Sequence, residues 1–66
     1  MKNEVIELAK NKTLDVITES KEKIAGYLEQ AAAGSDDLDS IVDSIIVELD
    51  VLAKADERLE MLEKYF

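Results

Sequence analysis

The chain has 66 residues, 16 acids against 8 bases for a formal charge of -8, and no Cys, His, Pro or Trp. A chain this short forms one domain, residues 1–66, and cannot wrap a deep cleft around a substrate. Without imidazole or thiol it lacks the usual general base, the thiolate nucleophile, and the His or Cys ligands of zinc, haem and iron–sulfur centres. The expectation is therefore a non-enzyme with no cofactor and no metal, and a carboxylate-only metalloenzyme is kept as a formal alternative. Disulfides are excluded as well, so packing or a partner chain must hold the fold.

An apolar fraction of 47% beside 36% charged residues belongs to a folded chain rather than a disordered one. The opening run MKNEVIELAK carries Lys2, Glu4, Glu7 and Lys10, and no stretch approaches roughly 18 apolar residues. The expected location is cytoplasmic, with no membrane contact.

Helix 1 is expected over about residues 2–33. Apolar and small residues fall at Ile6, Ala9, Thr13, Ile17, Ser20, Ile24, Leu28 and Ala31, in steps of 3 and 4 that make a helical stripe with an 11-residue repeat. Val5, Val16 and Tyr27, again 11 apart, widen it. Asn11, Lys12 and Thr13 are weak helix formers; the expectation is one continuous helix, with a break into two pieces at this stretch as the alternative. Gly26 costs about 1 kcal/mol relative to Ala in mid-helix, and a close helix crossing is its expected reason.

A turn at residues 34–35 follows. Gly34 can take the left-handed conformation that closes a helix, Ser35 can cap the next, and Asp36, Asp37 and Asp39 set negative charge on its first amides. The spacing Asp36, Asp37, Asp39, Asp43 invites a calcium reading. It lacks the alternating Asp/Asn ligands, the Gly and the distal Glu of a calcium loop, and capping accounts for the acids.

Helix 2 is expected over about residues 36–65. Leu38, Val42, Ile45, Leu49, Leu52, Asp56, Leu59, Glu63 and Phe66 alternate steps of 4 and 3, a coiled-coil heptad seam containing two acids. Ile41, Ala55 and Leu62 broaden it on one edge, Ile46 and Ala53 on the other. A short turn makes the helices antiparallel and sets residue i opposite roughly 69 minus i. Val42 then meets Tyr27 and Leu28, Ile45 meets Ile24, Leu52 meets Ile17, and Asp56 meets Thr13 near Lys10 and Lys12. Asp56 and Glu63 read as a register-setting polar layer or a solvated edge. Two helices alone leave apolar edges wet at Val5, Val16, Tyr27, Ile41, Ile46, Ala55 and Leu62. The expected fold is all-α: an antiparallel two-helix hairpin that dimerises into a four-helix bundle.

Val47, Val51, Met61 and Tyr65 point away from that seam in two i, i+4 pairs, and with Asp43 and Asp50 on the acidic helix they form a candidate partner-binding patch. The plainer reading is that scattered exposed apolar residues are normal, or that the seam is rotated. Residues 1–33 hold five Lys and six acids, net -1, whereas residues 34–66 hold three bases and ten acids, net -7. That field repels DNA and RNA and suits a basic partner surface. The leading expectation is a non-catalytic protein–protein interaction module, a homo-oligomeric helical hairpin acting as a small regulator, adaptor or co-chaperone. The alternative is an acidic nucleic-acid-mimicking inhibitor of a basic DNA- or RNA-binding protein.

Overall fold

Helix α1 runs from Lys2–Ala32 and helix α2 from Leu38–Tyr65 in the computed structural model, which describes residues 2–34 and 36–66. The two pack side by side as a hairpin 51 × 14 × 12 Å in extent.

α1 passes through Asn11–Thr13 unbroken, as expected. Thr13 is buried, and its Oγ1 donates to the Ala9 carbonyl at 2.7 Å, so the hydroxyl is satisfied inside its own helix. At the turn the Ala33 N–H donates to the Glu29 carbonyl at 3.0 Å and the Gly34 N–H to the Ala31 carbonyl at 3.2 Å. Gly34 has φ +90°, where any side chain would be strained. Ser35, the expected cap, lies outside the described residues. The cap of α2 is Asp37, whose carboxylate accepts the Ser40 N–H at 3.2 Å, so the helix starts at Leu38, two residues later than the sequence suggests.

The seam between the helices corrects the sequence reading in both of them. In α1, Thr13 and Ser20 are buried, and Ile6, Ala9, Lys10, Val16, Ile17, Ile24, Tyr27 and Ala31 are half-buried. Ile6, Lys10, Thr13, Ile17, Ser20, Ile24, Tyr27 and Ala31 follow heptad steps of 4 and 3, with Ala9 of the expected stripe and Val16 of its flank covered beside them. Tyr27 occupies the place expected of Leu28, which is 56% exposed. Lys10 lies in the seam through its aliphatic stem while its Nζ reaches Glu7 Oε1 at 3.6 Å.

In α2 the seam is Ile41, Ile45, Glu48, Leu52, Ala55, Leu59 and Leu62, again in steps of 4 and 3. It keeps Ile45, Leu52 and Leu59 from the expected seam but is rotated by about 50° at 100° per residue. Ile41, Ala55 and Leu62 move from an edge to the centre, and Leu38, Val42, Leu49, Asp56, Glu63 and Phe66 become exposed. Asp56 and Glu63 are thus no polar layer. Rotation leaves both carboxylates in water and half-buries one acid, Glu48, where the expected register would desolvate two. Ala55 (1% exposed) and Thr13 (1%) fall at about the same level of the hairpin, so small residues let the two backbones approach there. The close crossing expected at Gly26 is absent: the residue is exposed, and a Cβ built on it would meet nothing within 4 Å.

Candidate functional site

With the seam placed, the hairpin has two lateral faces, each built from both helices. The first carries Leu14, Lys21 and Leu28 from α1 and Leu38, Val42, Ile46 and Leu49 from α2, all exposed. Toward the open end of the hairpin, α2 continues this face with Asp56, Glu60 and Glu63. The second face carries Val5, Lys12, Val16 and Lys23 from α1 and Val47, Val51, Lys54, Arg58, Met61 and Tyr65 from α2, with Glu19 among them and Glu57 at its edge.

The candidate partner-binding residues divide accordingly. Val47, Val51, Met61 and Tyr65 sit together on the second face, between 38% and 64% exposed. Each i, i+4 pair spans one turn, and the pairs lie about 21 Å apart along α2 at 1.5 Å per residue. Asp43 and Asp50 are exposed on the outward back of α2, bordering this face rather than lying in it. At its open end Met61 and Leu62 line a shallow groove with Lys54, Glu57, Arg58 and Phe66. The Lys64 Nζ rests 5.4 Å from the centroid of the Tyr65 ring, a contact that steadies the exposed aromatic.

Between the two apolar pairs stand Lys54 and Arg58, which sequence reasoning did not place in the patch. A net charge summed over half the chain hides how charge is distributed around a helix. The signal was present in the order Val47, Val51, Lys54, Arg58, Met61, Tyr65, a second stripe with steps of 4 and 3 beside the buried one. Lys23 joins the same face and pairs with Glu19 at 3.4 Å.

Among the described residues no group of three or more Asp or Glu side chains is gathered where it could hold a metal ion. Asp37 instead caps α2. No helix is long and apolar enough to cross a membrane among the described residues. Comparison with known proteins finds no matching family model, no matching curated protein and no matching solved structure.

Proposed function

We propose that the chain is a non-catalytic protein–protein interaction module: a helical hairpin that pairs with a second copy as a four-helix bundle and works as a small regulator, adaptor or co-chaperone. The observation that carries this reading is uncovered area. The hairpin exposes 5167 Å², against about 4,200 Å² for a folded monomer of 7.4 kDa. The excess of about 1,000 Å² is close to the roughly 800 Å² that each partner contributes to a stable interface. The first face is the apolar surface suited to a second copy, because Leu28, Val42 and Leu49 cluster toward the turn and bring no cation but Lys21 with them. Stacking two hairpins there leaves the second face of each outward for another protein. The non-catalytic part of the reading rests on a chain with neither His nor Cys.

Sedimentation equilibrium at micromolar concentration tests the pairing. The expected mass is that of a dimer, and Val42→Lys with Leu49→Lys should return it to a monomer. A wild-type chain that stays at 7.4 kDa throughout would reject the reading. The alternative, an acidic mimic of nucleic acid, draws on Asp43, Asp50 and Glu57, spaced seven apart along α2. It predicts binding to a basic protein that DNA or RNA abolishes by competition.

A further inference from the structure

We propose that the second face docks an acidic amphipathic helix of another protein. This rests on the reading of the chain as an interaction module and names the chemistry of its partner, which is opposite to what a net charge of -8 suggests.

The face is layered. Lys12 on α1 falls at about the level of Arg58 on α2 when the hairpin is folded about its turn, and Lys54 stands one turn away. Three cations from two helices thus fall at neighbouring levels midway along one face. All three residues are exposed, and none forms an ion pair with a described residue. On the turn side of this layer lie Val47 and Val51, and on the open side Met61 and Tyr65. The complementary surface is apolar, then acidic, then apolar, with its anchors about 21 Å apart, or about fourteen residues of helix. A third helix laid between α1 and α2 presents that pattern, as in helix-in-groove recognition.

Glu57 lines the same groove as Lys54 and Arg58 and offsets part of their charge, leaving the layer with three cations against one acid, and the acids farther away oppose this partner only at long range. At physiological ionic strength charge is screened over about 8 Å, so the back of α2 counts for less than the cations in contact. A nucleic acid would use those cations but would leave the apolar anchors unmatched, and phosphate binding needs a longer run of bases to overcome the net charge.

The test uses the intact chain and three labelled probes, followed by fluorescence anisotropy. The first is a synthetic helix of about 21 residues with Leu pairs at both ends and Glu between them. The second is the same peptide with Lys in place of Glu, and the third is a single-stranded oligonucleotide of similar length. The acidic peptide should bind about tenfold more tightly than the basic one. Lys54→Glu with Arg58→Glu should reverse that preference, and Val47→Ser with Val51→Ser should weaken both peptides alike. These positions are exposed, so circular dichroism should show unchanged helicity. Equal binding of the peptides, no binding of the acidic peptide, or tighter binding of the oligonucleotide would overturn the proposal. Sedimentation of the same sample keeps the two ideas separate: a dimer that ignores the acidic peptide overturns the docking inference alone, whereas a monomer rejects the self-association reading.

Discussion

The two helices answer differently to the same sequence rule. In α1 one stripe of small and apolar residues runs down one side, and the seam follows it except where Tyr27 replaces Leu28 and Lys10 folds its stem inward. In α2 the shared stripe Ile45, Leu52, Leu59 has apolar candidates on both flanks: Ile41, Ala55 and Leu62 on one, Val42 and Leu49 on the other. A hydrophobic stripe determines which way a helix faces only if one of its flanks is polar. Where both flanks are apolar, the polar residues in each candidate seam decide, and the flank holding Asp56 and Glu63 costs more to desolvate than the flank holding Glu48. The flank that loses becomes an exposed apolar face. That is how a hairpin with a thin core comes to have the surface on which we propose that a second copy packs.

The sharpest way to break this comparison is to move a charge by one position. Ala55→Asp places an unpaired carboxylate where a side chain is 1% exposed, at a cost of about 3 to 5 kcal/mol, enough to unfold so small a hairpin. Asp56→Ala removes a carboxylate already in water and should leave stability within about 0.5 kcal/mol or raise it slightly through helix propensity. Urea denaturation followed by circular dichroism measures both, and similar losses would restore the seam expected from sequence.

A smaller contrast separates the buried flank from the exposed one. Ile41→Ala should cost about 2 to 4 kcal/mol as a large-to-small change at a buried site, and that loss should persist at every protein concentration. Val42 is half exposed in the single hairpin, so Val42→Ala should destabilise only as far as it weakens pairing. Its effect on the melting temperature should fade on dilution. A loss at Val42 that is independent of concentration would place that side chain in the hairpin seam.

These contrasts also mark what could be read from the residues alone. The two helices, the turn at Gly34 and the antiparallel pairing were legible, because periodicity and helix-stop chemistry are local signals. The direction α2 faces was not, since it depends on what α1 presents across the seam: Thr13 is small enough to admit Ala55 at close approach, and Ser20 falls at about the level of Glu48. The candidate patch was legible in part. Val47, Val51, Met61 and Tyr65 were singled out by their outward spacing, whereas Lys12 belongs with Lys54 and Arg58 only after the chain folds back on itself. Asp43 and Asp50 were grouped with the patch because a linear charge count does not distinguish the back of a helix from its side.

The smallest expected effects compare the two glycines. Gly26 was read as a contact between helices, but it is exposed and has helical backbone, and an added Cβ would meet nothing within 4 Å. Gly26→Ala therefore gains helix propensity and loses no packing, and should stabilise by about 0.5 to 1 kcal/mol, a rise of roughly 4 to 8 °C per kcal/mol in a domain of this size. Gly34 also has open space around it, but its φ is +90°. Gly34→Ala should destabilise by about 1 kcal/mol, because the left-handed conformation that ends α1 strains any Cβ. Thermal melts of the two variants side by side measure the difference. If Gly26→Ala lowers the melting temperature, then another surface packs against that turn of α1, and the second face is occupied in the free protein by something other than water.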